Sequence, residues 1–353
     1  MDFRPIKINP LKIPRGVTPQ FWADGIIDIY CRAYGLLERG KQMMGETIYS
    51  LYEEAGVFQA EQYPDWKDRV PELSRQVTFT KVYERMTRIK ASLEDPTNPK
   101  GRAGNDTRDA YARLLDRLQA FSRPYSVEHK LFGTEEGIGI DELIGGDDVT
   151  VVESKGLENT FRNFIFGVIT SGFYKVALAH EGGFLADDQY ETALIIEEAN
   201  EVLTGNDVAG TGGGQQFGMT GQSEFEQILD QAAGYGLYIF AITQKIADMP
   251  KSIIANSGLI FAGRLKTPDD ITVVMRAIAK EDRFDDRDIV KWFPRQPTGW
   301  FICQSSRTYD FKDAEPILVN IARLNIAPPS NAEIDEILIR QNASGVKKKN
   351  SAA

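Results

Sequence analysis

Beyond about residue 147 the chain changes its period. Short runs rich in β-branched and aromatic residues, VTVVES, TALIIEE, LYIFAITQ, GLIFAGR and TGWFICQS, alternate with helical patterns. One long helix passes through Phe164, another is expected from Ser223 and a third from Thr267. Parallel neighbours need a long crossover between them, and a helix is the usual one. The alternation therefore predicts an α/β fold, with a mostly parallel sheet covered by helices on both faces. Ser223 with Glu226, and Thr267 with Asp270, have capping-box spacing, which marks two of the helix starts.

The preceding stretch reads differently. RPIKINP is a short strand candidate, after which helical signals dominate. Thr18 is placed to cap a helix and Pro19 to open it, and Trp22, Ile26, Ile27, Tyr30, Ala33, Tyr34 and Leu37 follow at three-to-four spacing. Further helical patterns run around ELSRQVTFTKVYERMTRIKASL and TRDAYARLLDRLQAF, with the hydrophilic EDPTNPKGRAGND between them as a loop.

At 353 residues the chain can bury a sizeable core in one large α/β domain or two ordinary ones. Its net charge of −10 argues against a surface basic throughout, yet leaves room for a basic channel, so composition neither implies nor excludes nucleic acid. Cys31 and Cys303, with His129 and His180, are too few and too scattered for a disulfide framework or a zinc site. A reducing, cytoplasmic setting is expected. The most apolar run, FIFGVITSGFYKVALA, falls short of the roughly 20 residues of a membrane span and contains Lys175, so it reads as a core helix. The opening residues lack the apolar run of a leader peptide.

GLLERGKQ, Gly35 to Gln42, has the spacing of a phosphate-binding P-loop except that Gln42 replaces the final hydroxyl residue. A working P-loop follows a strand, so that backbone N–H groups converge on phosphate at a strand-to-helix turn. Here the glycines follow a helical pattern, and the stretch reads as a turn between two helices.

ALIIEEAN carries the strongest chemical signal. An apolar strand ending in Glu197 and Glu198 puts two carboxylates at the C-terminal edge of a parallel sheet, where open α/β sheets bind ligands. The next strand ends in Thr243 and Gln244, polar groups at the same edge. The alternatives are a solvated acidic turn and ordinary strand-end capping.

Taken with the glycine-rich loop between them and with KIADMPKSIIANSGLIFAGRLKTPDD after them, these strand ends resemble the HerA/FtsK superfamily of hexameric DNA-pumping ATPases. The likeness is to the HerA branch and the conjugation and type IV secretion ATPases. IKINPLKIPRGV is similar to the family's second core strand, AYGLLERGKQMMGETIYSLYEEAG to the start of its helical insertion, and VTVVESKGLEN to its third strand. LIIEEANEVL is similar to the Walker B segment, YGLYIFAITQ to the sensor strand and MPKSIIANSGLIFAGRL to the strand after it.

The resemblance implies a RecA-like core whose first strand lies in 1–17, a mainly helical insertion at 18–146, the ATPase core at 147–328, and a C-terminal helix with a basic, disordered tail at 329–353. It implies ATP and Mg²⁺ as cofactors, with Glu197 on the metal side, Glu198 as catalytic base, and Thr243 or Gln244 sensing the γ-phosphate or orienting water. Arg264 stands where the family often has an arginine, in contact with nucleotide or a neighbour. The implied partners are DNA in a ring channel, further copies of the chain as a homo-oligomer, a hexamer in the family, and a membrane secretion or conjugation complex.

Two departures stand beside the likeness. The family's Walker A precedes its INPL strand and no G-x-x-x-x-G-K-[ST] occurs in this sequence, so a truncated or split gene is one expectation. Ala233, in AAGYG, occupies the position of the family's trans-acting arginine. The alternative is a catalytically inactive ring subunit or regulatory interaction protein of the same fold; a stand-alone α/β enzyme using Glu197 and Glu198 is a third. The loop TGNDVAGTGGGQQFGMTGQ, without Lys or Arg to attract DNA, reads as a disordered insertion, the alternative being a mobile loop that touches DNA phosphates in the ring channel through backbone N–H groups.

Overall fold

The computed structural model describes residues 7–95, 105–143, 149–154, 156–179, 192–202, 228, 231–278, 290–305, 316–322, 330, 332–333 and 336. The chain divides into two compact units, Met1–Asn256 and Ser257–Ala353. The glycine-rich loop, the Ser223 capping box and the C-terminal tail lie outside the described residues.

The first unit opens with irregular chain that helices lock in place. Of the strand expected in RPIKINP, the described residues from Lys7 onward show an isolated parallel bridge between Ile8 and Ile138, and Pro10 has no N–H to extend a ladder. Buried polar backbone must then find other partners. Asn9, fully buried, donates to Arg75 O and Val77 O at 2.9 and 3.0 Å and accepts from Leu11 N at 3.0 Å. The Trp22 indole donates to Pro10 O, the Tyr52 hydroxyl to Leu11 O, and Ile13 N to Ser74 Oγ.

Seven helices follow: α1 (Pro19–Ala33), α2 (Glu38–Glu54), α3 (Val57–Ala60), α4 (Trp66–Ser74), α5 (Phe79–Glu94), α6 (Asn105–Ser122) and α7 (Val127–Phe132). Thr18 stands at the N-cap position of α1 in an extended conformation but its side chain makes no capping hydrogen bond, and Pro19 opens the helix where no N–H donor is needed. Gly35 takes φ 62° in the turn before α2, and Glu38 to Gln42 are already helical. The P-loop-like spacing is thus a helix–turn–helix joint. Thr78 accepts from Lys81 N and caps α5, which separates α4 from α5 within what the periodicity reads as one helical region.

The long helix α8 (Asn159–Ala179) buries Phe161, Phe164, Val168 and Ala177 and, despite its charge, Lys175. The Lys175 ammonium sits 3.6 Å from the centre of the Phe21 ring, a cation–π contact that offsets part of the cost of burial. Close helix packing requires glycine at two positions. A Cβ at Gly167 would lie 2.5 Å from Ile29 Cγ2, and one at Gly172 would lie 2.6 Å from Ile140 Cγ2. No described helix is long and apolar enough to cross a membrane. The core itself is aromatic: Phe79 packs on Phe121 at 4.9 Å and edge-on to Phe164 at 5.6 Å, with Tyr30 against both Phe79 and Phe164. Burial also pushes the Cys31 thiol up to about 12, which keeps it protonated and unreactive.

Strands β1 (Thr192–Ile196) and β2 (Leu237–Ala241) pair in parallel, Thr192 opposite Leu237 and Ile196 opposite Ala241. Leu194, Leu237 and Ile239 face the helical core, while Ile196 packs with Ala199, Met249 and Ile253. The short helix α9 (Ala199–Val202) follows β1 directly. In the second unit β3 (Leu259–Ala262), β4 (Trp300–Ser305) and β5 (Ile317–Asn320) form an antiparallel sheet in the order β3-β4-β5. A helix over Pro268–Ile278 starts at the expected capping box, with Asp270 N donating to Thr267 Oγ1 at 3.3 Å and the Thr267 hydroxyl bonded to Asp270.

Among the described residues the fold is therefore a mixed α/β one with two small sheets. The expectation of one mostly parallel sheet holds for β1 and β2 alone. VTVVES forms no strand and has no ladder partner among the described residues, and Val149 and Val151 are exposed. Alternation with helices predicts parallel pairing, but β3 and β4 pair antiparallel even though the helix over Pro268–Ile278 lies between them, and β4 pairs antiparallel with β5 as well.

Candidate functional site

The C-terminal ends of β1 and β2 build the candidate site. Parallel register carries both strand ends to one edge, and the pairing continues past the last ladder rung. Ile242 N donates to Ile196 O and Ala199 N donates to Ile242 O, both at 2.9 Å. Residues 197–200 thus turn tightly across the tip of β2. Glu198 adopts φ 49°, the left-handed region, and is the one non-glycine residue to do so among the described residues. A non-glycine side chain there costs about 1–2 kcal/mol, and such strain collects where a side chain must be aimed.

The aimed side chain reaches its neighbour on β2. Gln244 Nε2 donates to Glu198 Oε1 at 2.8 Å. One residue back, the Thr243 hydroxyl donates to Asn200 Oδ1 at 2.7 Å and accepts from Lys245 N at 3.0 Å. Glu197 is exposed beside them. Behind the turn, Glu201 N donates to Glu198 O at 2.8 Å, and the Glu201 carboxylate pairs with Arg162 of α8 at 2.7 Å. The turn is therefore fastened to the helical core from one side and to β2 from the other.

Of the residues picked out by sequence, Glu198, Thr243 and Gln244 come together, with Glu197 adjoining on the same turn. Arg264 is exposed and belongs to the second unit, just past the end of β3. Asn200 escaped the sequence reading. The available signal was its place two residues beyond the acidic pair, where a short amide side chain reaches the neighbouring strand end. Ala233 lies in a short 3₁₀ turn, Ala232–Tyr235, leading into β2.

No protein-family model matches the chain, and no curated protein matches it in sequence. The donor set can still be compared with the cofactors the resemblance implies. Among the described residues no three or more His, Cys, Asp and Glu side chains group together as a metal cage. Mg²⁺ in phosphoryl-transfer sites needs no such cage, because it takes one or two carboxylates and draws its remaining ligands from water and phosphate. An exposed Glu197 beside a fixed Glu198 suits that chemistry. The phosphate-gripping part is another matter, since Gly35–Gln42 is a helix joint and offers no nest of converging N–H groups.

Proposed function

We propose that this chain is the ATPase module of a ring-forming DNA translocase of the HerA/FtsK kind, with its hydrolytic residues on the edge formed by β1 and β2. The observation that carries the reading is the 2.8 Å hydrogen bond from Gln244 to Glu198, made across adjacent parallel strand ends by a glutamate in a left-handed conformation. That pairing fixes a carboxylate and an amide at one point, the combination needed to orient a water and remove its proton. In this reading Glu198 accepts the proton, Gln244 orients the water or a phosphate oxygen, and Glu197 offers a carboxylate on the metal side. Bound Mg²⁺–ATP supplies the phosphoryl group and the charge that these residues act upon. Arg264 approaches nucleotide or a neighbouring copy once a ring forms, and DNA occupies the ring channel.

Mg²⁺-dependent ATP hydrolysis by the purified chain, with and without duplex DNA, tests the reading. Supplied with a Walker A segment, by an upstream extension or a second chain, the protein should turn over, and Glu198→Gln in that setting should be slower by about 10²–10⁴, the usual worth of a positioned base. Equal rates for the two proteins would remove Glu198 from the chemistry. Sedimentation with nucleotide and DNA present tests the ring, and a strictly monomeric chain at high concentration counts against it.

A second reading, a non-catalytic ring subunit, is favoured by the helical joint at Gly35–Gln42 and by Ala233 where the family carries an arginine. An arginine of that kind contributes about 10³–10⁵ in rate. Mg²⁺-dependent binding of a fluorescent ATP analogue without turnover would favour this second reading.

A further inference from the structure

We propose that Asn200 is a positioning residue: by accepting a hydrogen bond from the Thr243 hydroxyl it pins the outgoing end of β2, leaving Gln244, and not Thr243, to face the ligand beside Glu198. The proposal rests on the ATPase reading for its consequence, but its geometry stands independently. A threonine hydroxyl has one proton to donate and two lone pairs. The proton goes to Asn200 Oδ1 at 2.7 Å, and one lone pair receives Lys245 N at 3.0 Å. What remains is a lone pair, which repels a phosphate oxygen. Thr243 can therefore bind a phosphate only by giving up Asn200.

Gln244 differs in kind. Its amide nitrogen carries two protons, of which Glu198 Oε1 takes one at 2.8 Å. The second is free of that bond and can be given to a phosphate oxygen or to a water, while Glu198 retains acceptor capacity for the proton of that water. The same turn thus separates two adjacent polar residues by role. Thr243 is held from behind by the residue two positions after Glu198, and that hold sets where Gln244 points. Asn200 is itself well seated, because Ala199 beside it is fully buried and donates its N–H to Ile242 O at 2.9 Å.

Hydrogen exchange at the Lys245 amide, read together with ATP turnover, tests this in the full chain. Asn200→Ala and Thr243→Val should each speed Lys245 exchange by about tenfold or more, because the bond that protects it depends on a fixed hydroxyl. Thr243→Ser, which keeps the hydroxyl, should recover the protection that Thr243→Val loses. In turnover both variants should lower kcat by about 10–100-fold with little change in KM, and the double variant should be no slower than either single one, as for residues acting through one contact. If Asn200→Ala keeps wild-type exchange and wild-type kcat while Thr243→Val loses turnover, Thr243 acts on the ligand directly and the proposal is overturned. If the wild type, supplied with a Walker A segment, hydrolyses no ATP, the ATPase reading falls, while the exchange data still decide whether Asn200 holds Thr243.

Discussion

The helical body of the first unit and the β1–β2 ribbon attached to it are built from similar side chains with opposite fates. In the helical body Tyr30, Phe79, Phe121 and Phe164 are fully buried and pack ring against ring. On the ribbon only one face is spent that way. Its other face carries Ile195, Tyr238, Phe240 and Ile242, with Ile195 63 % exposed and Phe240 51 % exposed. Parallel sheets ordinarily bury both faces, and two strands alone are marginal in water. Stability therefore resides in the helices, while the ribbon holds its shape because α8 and the core support its inner face.

The contrast breaks most sharply in the core. Phe164→Ala should cost about 3–5 kcal/mol in urea unfolding, since it removes a fully buried ring and leaves a cavity among aromatic neighbours. A loss below about 1 kcal/mol would mean that the helical body is not the stabilising part. Tyr52→Phe should cost less, about 1–3 kcal/mol, because it strips Leu11 O of a buried donor without opening a void. A neutral result there would show that the opening segment is held by packing and not by its hydrogen bonds.

Electrostatics sharpen the comparison at a smaller scale. Partial burial pushes the Glu142 carboxyl up, but the Lys12 ammonium and the Gly139 N–H outweigh it and hold the group below the usual carboxylate range. A depressed folded value contributes stability above the ordinary glutamate pKa of about 4.3, and that contribution is lost as pH falls through the folded value. Glu142→Gln should therefore destabilise the protein by under about 1 kcal/mol at neutral pH, with the difference shrinking toward zero in acid. Thermal midpoints of the two proteins measured from pH 7 to pH 3 check this, and a constant gap would refute it. Smallest of all, Phe240→Ser on the half-exposed outer face should change stability by no more than about 0.5 kcal/mol. A loss comparable to that of Phe164→Ala would show the outer face to be covered, and the contrast between the two regions would disappear.

These regions also differ in how far the sequence discloses them. Thr18 and Pro19 announce α1, and the Thr267–Asp270 box announces its helix, because caps act within a few residues of chain. The strands β1 to β4 are visible as apolar, β-branched runs. Their pairing is not, since direction and register depend on contacts between distant segments; β3 and β4 prove antiparallel where alternation suggests otherwise. VTVVES has the composition of a strand but has no ladder partner among the described residues. The short strand β5 has a legible signal, an apolar run between Pro316 and Asn320, that its brevity conceals. In the candidate site the acidic pair and Gln244 are found from their places at strand ends. Asn200 is not, because its part is played through Thr243 and becomes evident only once the two chain ends lie side by side.

The glycines of α8 bear on what can move. With Gly167 set against Ile29 and Gly172 against Ile140, the helix lies so close to its neighbours at these two points that a methyl group would not fit. Arg162, on the same helix, ties Glu201 to α8 at 2.7 Å. A bulkier residue at either glycine would push α8 off its neighbours, and through the Arg162–Glu201 pair that displacement would reach the turn from Glu197 to Asn200.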